Sequence, residues 1–361
     1  VRKKIGAKLE GTDVIQRVQS THIRAPQLAD LLPGKPAWCY YSVNTRRCGT
    51  VFAIDGRSTW LVHNHLHPDE PEFDSVDRDQ SIRNILGVDD HFEYEIITKE
   101  DWVGKRLLSN HFRDRRVFLA GDAAHLWVPY AGYGMNAGIA DATNLAWLLG
   151  AVVNGWADPG ILDAYEAERH PITEQVSHFV MNHAQKMIKA RRAVPHNIEA
   201  LDAEGAAARE LVGTEAYDLN VQQFCCEGLN FGYFYEKSPI IFHEAEPAPA
   251  YTMGSFTPST VPGCRAPHFW RDNGTSLYDS LGNGYSLLRF DSQIEVQELL
   301  ALAEASNMPL DLIDLEDEVH KPSAYEHPLV LCRTDQHVVW RGHALPHSLP
   351  EFMSFLRGQA V

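Results

Sequence analysis

Residues 116–147 read RVFLAGDAAHLWVPYAGYGMNAGIADATNLAW, and this stretch decides the fold of the chain. Its apolar run Val117–Ala120 is typical of a short strand covered on both faces. Gly121 then allows a sharp turn, and Asp122 places a carboxylate where the strand ends. The first half of the stretch therefore predicts a buried strand followed by a tight turn that carries an acid.

The second half of the stretch predicts a glycine-rich loop and the start of a helix. Gly132 and Gly134 bring bare backbone close to whatever lies beside them, and Asn136 is a suitable N-cap. The pair Asn154-Gly155 is a helix stop signal. Between these ends, apolar residues recur at helical spacing: Ile139, Ala142, Ala146, Leu149 and Val153.

A helix N-terminus beside a carboxylate indicates a particular kind of ligand. The unpaired N–H groups and partial positive charge of the N-terminus stabilise an anion or an electron-rich carbonyl. A carboxylate at a strand end can accept hydrogen bonds from sugar-like hydroxyls. A ligand with a polyol arm and a ring that becomes negatively charged on reduction suits both groups, and a flavin is such a ligand.

The same stretch resembles the second flavin motif of the FAD-dependent aromatic hydroxylases, the class A flavoprotein monooxygenases. That motif is written GDAAH, then a proline, then GxGMN and DAxNLxW. The matching positions are Gly121, Asp122, Ala123, Ala124, His125, Pro129, Gly132, Gly134, Met135, Asn136, Gly138, Asp141, Asn144, Leu145 and Trp147. His125 in this motif is expected to be a packing and hydrogen-bonding residue.

The resemblance implies a cofactor, a reaction and a set of binding residues. FAD would be reduced by NAD(P)H as a transient reductant, would react with O₂, and would hydroxylate a small phenolic or polycyclic aromatic substrate through a flavin hydroperoxide. Asp122 would bind the ribityl chain, and Pro129 would lie beside the ring. Gly134, Met135 and Asn136 would offer backbone N–H groups to the pyrimidine edge. The implied cofactor-binding set is Gly121, Asp122, Pro129, Gly132, Gly134, Met135 and Asn136.

One motif of that family does not occur in this sequence. No GxGxxG is found in the 361 residues, and the chain opens on VRKKIG, Val1 to Gly6, which in the family follows a second dinucleotide motif. We therefore expect a sequence that starts just past that motif. If the N-terminal region is truly absent, we expect this chain alone to bind FAD poorly and to be inactive.

The implied fold is α/β: a truncated FAD/NAD(P)-binding domain with an inserted β-rich substrate domain and a C-terminal thioredoxin-like α/β domain. The expected domains are a substrate domain (1–105), the C-terminal part of the FAD-binding domain (106–195), a helical linker extension (196–250) and a thioredoxin-like domain (251–361). The redox cysteine pair of thioredoxin is absent after Phe290, so we expect this last domain to serve packing or an oligomer surface, with a homodimer as the candidate assembly.

Local patterns predict the elements within these domains. Asp55-Gly56 is the turn of a predicted hairpin, and Pro171 is expected to break or kink a helix over residues 159–192. Arg169, in the piece ERHP, is most simply a structural ion-pair partner. The predicted strands are Val14–Ile23, Trp38–Val43, Gly49–Ile54, Ser58–His65, Glu93–Thr98, Ser286–Phe290, Leu310–Asp314, Leu329–Arg333 and Val338–Arg341, and further helices are predicted over Asp79–Leu86, Ile294–Ala305 and Leu349–Arg357.

Candidates for the catalytic residues are less clearly marked. His63, His65 and His67 alternate along one predicted strand and would share one face, together with Tyr41 as a further candidate. Polar positions on a sheet face are the simplest interpretation; a phenol pocket and a metal site are the alternatives, and we predict no metal. Tyr40 and Asn44 are candidates to face the same cavity as Tyr41. Other residues are candidates either for the pocket wall or for core packing: Trp127, Tyr130, Phe224, Asn230, Phe231, Tyr233 and Phe234.

Composition excludes several other classes of protein. The net charge of −16 argues against a nucleic-acid partner or an anionic membrane surface, and no apolar run reaches the length of a membrane span. The six cysteines show no zinc spacing, which favours reduced thiols and a cytoplasmic location.

Two other functions stay open at this point. One is a non-catalytic remnant of the family that serves as a binding or scaffold module, and the missing glycine motif is its main support. The other is a flavoenzyme of the same fold with different chemistry, such as epoxidation or dehydrogenation.

Overall fold

The computed structural model describes residues 1–32 and 34–359, and for Asp13 and Ala131 the backbone alone. Within this part, the chain forms a seven-stranded sheet, a four-stranded sheet and a two-stranded hairpin, with helices packed around them. The mixed α/β class predicted from the sequence is confirmed. None of the described helices combines the length and the apolar character that crossing a membrane requires.

The seven-stranded sheet is built around its longest strand, β1, which pairs antiparallel with three others. The strand order is β2-β3-β4-β1-β6-β9, and β5 also pairs with β1. The bounds are β1 (Leu9–Arg24), β2 (Cys39–Ser42), β3 (Gly49–Ala53), β4 (Thr59–His65), β5 (Glu95–Lys99), β6 (Trp102–Ser109) and β9 (His125–Leu126). Strands β3 and β4 flank Asp55-Gly56, so the predicted hairpin is confirmed.

One face of this sheet is covered by α2 (Arg78–Leu86), close to the predicted helix, while α1 (Leu28–Leu31) packs at its margin. Asp77 caps α2 by accepting a hydrogen bond from the Gln80 amide. The apolar contacts on this face are made by Ile23, Val51, Trp60, Val62, Ile82 and Ile85. The opposite face carries the side chains that alternate with these.

The apolar run before the GDAAH motif forms less strand than its sequence predicts. Within this run, only Val117–Phe118 forms a strand, β8, and it pairs with β7 (Arg113–Asp114) in the two-stranded hairpin. Val117 and Phe118 are half-buried, so the expectation of a strand covered on both faces is wrong for the described residues. The physical reason is that no other described strand lies beside β8. The chain then joins the large sheet at β9, where His125 pairs with Leu108.

Helix α3 (Tyr133–Val153) ends at Asn154-Gly155 as predicted, but its apolar stripe is not the face it buries. Ile139 is 55% exposed and Val153 is 82% exposed. The buried face instead includes two polar residues, Asp141 and Asn144, which other parts of the chain neutralise or hydrogen-bond. Hydrogen bonds and ion pairs with residues distant in sequence, rather than the apolar periodicity, therefore decide which face of α3 is buried.

Helix α4 (Asp163–Arg192) continues through Pro171, so the helix does not break there, and the alternative of a kink stays a prediction. Proline removes one backbone hydrogen bond, but the helix buries residues on both sides of it, including Ile172 and Tyr165. Packing thus holds the two halves in one helix. A further helix, α5 (Ala203–Phe224), follows within the region predicted to be a linker extension.

The C-terminal part forms the four-stranded sheet in the order β11-β10-β12-β13. Its first pair, β10 with β11, is parallel, and the other two pairs are antiparallel. The elements are α6 (Leu277–Ser280), β10 (Tyr285–Arg289), α7 (Gln297–Ala305), β11 (Leu310–Asp314), β12 (Leu329–Arg333), β13 (Val338–Gly342) and α8 (Leu349–Leu356). Apart from their exact ends, the predicted strands and helices of this region are confirmed.

Candidate functional site

The turn that carries Asp122 packs against the beginning of α3. A Cβ atom built on Gly138 would lie 3.4 Å from the Cα atom of Gly121, so the two backbones are nearly in contact. Asp122 is exposed, and within residues 1–32 and 34–359 its carboxylate has no hydrogen-bond or ion-pair partner. The fold thus presents an unpaired carboxylate next to the N-terminal turns of α3.

The N-terminus of α3 is open to solvent. Its N-cap is Gly132, whose φ of 60° is left-handed and favours glycine, and no side-chain cap is found among the described residues. Gly134 is half-buried, while Met135 is 73% exposed and Asn136 is also exposed. The first-turn amides are therefore accessible to a ligand.

The N-cap predicted at Asn136 is wrong, because the helix begins three residues earlier at Tyr133. The left-handed Gly132 already turns the chain into the helix. The Asn136 side chain instead donates its Nδ2 hydrogen to the carbonyl oxygen of Gly132 at 3.0 Å. Pro129, just before this turn, is exposed.

These groups fit the cofactor that the sequence resemblance implies. An electron-rich ring edge needs free N–H donors, and a polyol arm needs a free acceptor. The accessible amides of α3 and the unpaired carboxylate of Asp122 are such groups. Amides capped by the protein's own side chains would have excluded a flavin, and that arrangement is not found in the described residues.

Asp141, fully buried on α3, fixes the turn beside this opening. Its Oδ2 accepts hydrogen bonds from the amide of Gly121 at 3.1 Å and from Nε2 of His125 at 2.8 Å. Its Oδ1 accepts a bond from Nε of Arg169 at 2.9 Å. Burial alone would raise the pKa of Asp141, but His125 and Arg169 outweigh it and lower the pKa.

Two sequence expectations are met in this cluster. Arg169 is a buried structural ion-pair partner, and His125 is a packing and hydrogen-bonding residue. The role of Asp141 was missed, although it is a motif position. Its partner Arg169 lies 28 residues later, so no local pattern marks the contact.

Two aromatic residues, Trp127 and Tyr130, border this opening. Trp127 stacks on His125 with ring centroids 4.6 Å apart, and its Nε1 lies 3.7 Å from the position that a Cβ of Gly134 would take. Tyr130 packs edge-on against His183 of α4 at 5.9 Å. Trp127 and Tyr130 are half-buried against an apolar cluster, so they belong to the core and also line the margin of the opening.

The predicted catalytic candidates lie on the sheet face opposite α2. Tyr41, Thr50 and His63 are neighbours across β2, β3 and β4, and His65 follows two residues later on the same face. This face is turned toward α4 and α5, because Nε2 of Gln223 in α5 donates to the Tyr41 hydroxyl at 3.2 Å. Helix α5 also packs on the turn Tyr130–Gly132, which directly precedes α3.

Burial sets the protonation of these side chains. It lowers the pKa of His63 to about 4 and that of His65 well below its ordinary value, so both are neutral at pH 7. It also raises the pKa of Tyr41 to about 12, so this phenol keeps its proton. A neutral imidazole can accept one hydrogen bond, and a protonated phenol can donate one.

His67 departs from the predicted pattern. Strand β4 ends at His65, and His67 is exposed, so the three histidines do not share one strand face. The described residues contain no group of three His, Cys, Asp or Glu that could hold a metal ion.

The remaining candidates divide between a cavity and the core. Tyr40 and Phe224 line a cavity beside α5. Asn44 is buried in a turn, where its Nδ2 donates to the carbonyl oxygen of Asn84 at 3.0 Å, so it does not face that cavity. Asn230, Phe231 and Tyr233 line a second cavity beside α3, whereas Phe224 and Phe234 pack against Trp38 and Tyr251.

Comparison with known proteins gives an independent line of evidence. Residues 1–180 match the family described as FAD binding domain. The FAD-dependent monooxygenase opdD of Penicillium oxalicum is 30% identical, over 95% of this chain and 69% of its own length. The FAD-dependent monooxygenase apdD of Emericella nidulans is 28% identical, over 96% of this chain and 58% of its own length.

A solved structure matches over nearly all of the chain. The rebeccamycin biosynthetic enzyme RebC with reduced flavin is similar with a TM-score of 0.85 at 29% identity, covering 99% of this chain and 66% of RebC. This chain therefore spans between 58% and 69% of the length of these three relatives.

Proposed function

Because this chain belongs to the family of FAD-dependent aromatic monooxygenases, we propose that it is the principal part of an NAD(P)H- and FAD-dependent enzyme that hydroxylates a phenolic or polycyclic aromatic substrate with O₂. The open N-terminus of α3 beside the unpaired Asp122 carries this proposal. Its similarity to two proteins named as FAD-dependent monooxygenases supports it.

The proposed cofactor site uses the residues that surround this opening. Asp122 accepts hydrogen bonds from the ribityl hydroxyls, and Pro129 borders the ring. The amides of Gly134, Met135 and Asn136 receive the pyrimidine edge, while Gly121 and Gly132 shape the two turns. When bound, FAD supplies the redox chemistry by accepting electrons from NAD(P)H and activating O₂.

The proposed substrate site lies on the sheet face that carries His63, His65 and Tyr41. Hydroxylation is easier on an electron-rich ring, and a hydrogen bond accepted from a phenol raises the electron density of that ring. Since His63 is neutral at pH 7 and a weak base, its role is to accept such a bond rather than to remove the proton fully. Tyr41 is a donor that orients the substrate, and the apolar cluster around Val128 excludes water.

We also propose that the chain has the four parts predicted from its sequence. Residues 1–105 form the substrate domain, 106–195 belong to the FAD-binding domain, 196–250 form an extension, and 251–361 form a thioredoxin-like domain. The four-stranded sheet lies wholly within 251–361 and supports the last assignment, whereas the seven-stranded sheet extends past residue 105 through β6 and β9.

Turnover by the purified full-length protein tests the proposal. With FAD, NADPH or NADH, and a panel of phenols and hydroxylated polycyclic aromatics, we expect substrate-dependent O₂ uptake and a product heavier by one oxygen atom. Protein that contains no FAD and consumes no reductant would favour the non-catalytic alternative. Flavin reduction with an epoxide or a desaturated product would favour the same fold with different chemistry.

A further inference from the structure

The second cavity, beside α3, lies where the C-terminal sheet meets this helix. Residues of α3 line one wall, and residues 334–337, the loop between β12 and β13, line another. Its volume of about 370 Å³ falls within the range of about 300–1,000 Å³ that is usual for small-molecule sites. Of the residues in the proposed flavin-binding set, only Asn136 lines it. The cavity is therefore distinct from the flavin opening.

Asn144 leaves a hydrogen-bond acceptor unused at this cavity, which it lines while only 1% exposed. Its Nδ2 donates to Oε2 of Glu168 at 2.6 Å, and a carboxylate can only accept, so the orientation of the amide is fixed. The remaining atom, Oδ1, is buried without a hydrogen-bond partner in the described residues. A buried acceptor is costly to leave unpaired, so this atom indicates a donor from outside the chain.

His337 provides a second unused acceptor on the loop. Its Nδ1 lies 3.1 Å from the carbonyl oxygen of Asp335, so Nδ1 carries the hydrogen of that bond. Burial lowers the pKa of His337, which is 2% exposed, so the ring is neutral at pH 7 and Nε2 holds a lone pair. Within residues 1–32 and 34–359, Nε2 has no hydrogen-bond partner.

The two acceptors lie beside one aromatic side chain, Tyr235. The hydroxyl of Tyr235 is 3.5 Å from Nδ2 of Asn144, and its ring centroid is 4.3 Å from that of His337. Tyr235 also lines the cavity. A single group with two hydrogens to donate can therefore serve both acceptors.

The charges around the cavity disfavour a cationic donor. Cζ of Arg169 lies 5.7 Å from the ring centroid of Tyr233, which lines the cavity. Cζ of Arg333 lies 5.2 Å from the ring centroid of Tyr235. Asp335 also lines the cavity, but its carboxylate is paired with Arg333 at 2.6 Å. An ammonium group would thus approach two cations, whereas a neutral, planar NH₂ group donates two hydrogens without that repulsion.

Arg265, which lines the cavity, lacks an acidic partner in the part of the chain that the structure describes. Its Nη1 donates to the carbonyl oxygen of Asn230 at 2.9 Å. Its Nε donates to Oε1 of Gln336 at 2.8 Å, and the same oxygen accepts from Nη2. Each Nη atom carries two hydrogens, so one on each is still available. A guanidinium with free donors on both Nη atoms suits a phosphate.

The exposed side chains of the lining suit a flat ring. Ile139 of α3 and Phe231 are both exposed and both line the cavity. Aliphatic and aromatic surfaces at a cavity favour a planar apolar body, and the polar groups described above fix its orientation. The cavity thus combines a place for a ring, acceptors for an NH₂ group and a cation for a phosphate.

We propose that the cavity between α3 and residues 334–337 binds a nucleotide whose heterocyclic ring carries a planar NH₂ group, as adenine and nicotinamide do. The NH₂ group donates to Oδ1 of Asn144 and to Nε2 of His337, the ring lies against Phe231, and the phosphate meets Arg265. This site goes beyond the proposed function, because neither acceptor belongs to the flavin opening. Free mononucleotides and the two halves of NAD(P)H share this chemistry.

Calorimetric titration of the full-length protein, saturated with FAD, tests this proposal. Adenosine 5′-monophosphate is compared with inosine 5′-monophosphate, which has an oxo group in place of NH₂. Nicotinamide mononucleotide is compared with nicotinic acid mononucleotide, which has a carboxylate instead of the amide. In at least one pair, we expect the NH₂ member to bind about tenfold more tightly, because its partner presents an oxygen to the two acceptors. Equal affinities within both pairs would overturn the proposal.

His337→Phe tests the acceptor itself. The variant retains a flat ring but removes Nε2, so the preference for the NH₂ member should fall by about threefold or more. A defect in folding alone would weaken the binding of both members equally and leave the preference unchanged. An unchanged preference would therefore contradict the role of His337.

Thr143→Trp tests the position of the ligand. Thr143 is exposed on α3 and lines the cavity, so a tryptophan there should weaken binding of the preferred nucleotide about tenfold. Thr214→Trp on α5 is the matched control. Thr214 is also exposed, its Oγ1 donates to the carbonyl oxygen four residues earlier as that of Thr143 does, and it does not line the cavity. Equal affinity in the two variants would place the nucleotide elsewhere and overturn the proposal.

Displacement by NADP⁺, which cannot reduce the flavin, distinguishes the two sources of the ligand. Displacement would identify half of the reductant as the ligand, and no displacement would identify a free nucleotide; the site stands in either case. Nucleotide binding with the expected preference in a protein that hydroxylates no aromatic would contradict the proposed function alone. Hydroxylation by a protein without that preference would contradict the site alone.

Discussion

Arg333 and Glu168 form a fully buried ion pair between residues that are 165 positions apart in the chain. Nη1 and Nη2 of Arg333 donate to the two carboxylate oxygens at 2.6 and 3.0 Å. The same carboxylate accepts a hydrogen bond from Nδ2 of Asn144 in α3 at 2.6 Å. This ion pair connects the C-terminal sheet to α4. The hydrogen bond between Asn144 and Glu168 connects α4 to α3, the helix with the open N-terminus.

Arg333→Met is expected to lower the free energy of unfolding by about 3–5 kcal/mol, because Glu168 would be left buried with its main cationic partner removed. Urea unfolding followed by circular dichroism measures this loss. Arg289→Met is the control, since its partner Asp314 is 54% exposed and an exposed pair contributes about 1 kcal/mol or less. Equal losses in the two variants would contradict the account of the buried pair.

Gly132→Ala tests whether a loss of FAD affinity can be distinguished from the loss of stability that backbone strain causes. The left-handed φ of 60° at Gly132 should make an alanine cost roughly 1 kcal/mol, although its Cβ would contact nothing within 4 Å. Gly155, with a φ of 78° and equally open space, is the matched control after the other end of α3. We expect similar losses of stability, with FAD affinity reduced in Gly132→Ala alone, as measured by flavin fluorescence titration. Equal FAD affinity in the two variants would place the cofactor elsewhere.

Acid should destabilise the protein through buried His183. Burial, with a smaller effect of Lys186, lowers the pKa of His183 from 6.5 to about 4 in the folded chain. Between these values the unfolded chain binds more protons than the folded chain, so stability is complete above pH 6.5 and falls as the pH drops toward 4. The loss from this residue is roughly 3 kcal/mol at most.

His183→Gln removes this titration and retains a polar side chain. Thermal unfolding between pH 7 and pH 4 should therefore show a smaller decline for His183→Gln than for the wild type. His63, whose pKa is lowered to about 4 by burial, contributes a decline of the same sign in both proteins. Parallel curves for the two proteins would contradict a neutral, buried His183.

Local sequence signals predicted most of the elements, because the strands and the Asp55-Gly56 hairpin depend on neighbouring residues. The signals failed where a distant partner decides the outcome. Asp141 is buried on α3 because Arg169 neutralises it, and Asn144 is buried because Glu168 accepts its hydrogen bond. The apolar stripe with Ile139 could not reveal these contacts.

The sequence likewise predicted one part of the candidate site and missed another. The motif marked Asp122 and the glycines around α3 directly, since each position is needed for local backbone shape or for a free acceptor. The cavity under α5 has no such motif, because it arises where a helix and a sheet edge distant in sequence fail to fill the space between them. Only the fold brings Ala216 opposite Tyr41.

The FAD content of Asp122→Ala in the full-length protein tests the central claim most directly, with Asp317→Ala, an exposed aspartate in the C-terminal part, as the control. The absorbance of released flavin against protein concentration gives the occupancy. We predict that Asp122→Ala retains several-fold less FAD than the wild type and Asp317→Ala, with unchanged thermal stability of the FAD-free protein. Full occupancy in Asp122→Ala would contradict the assignment of the flavin to the turn at Gly121 and the N-terminus of α3.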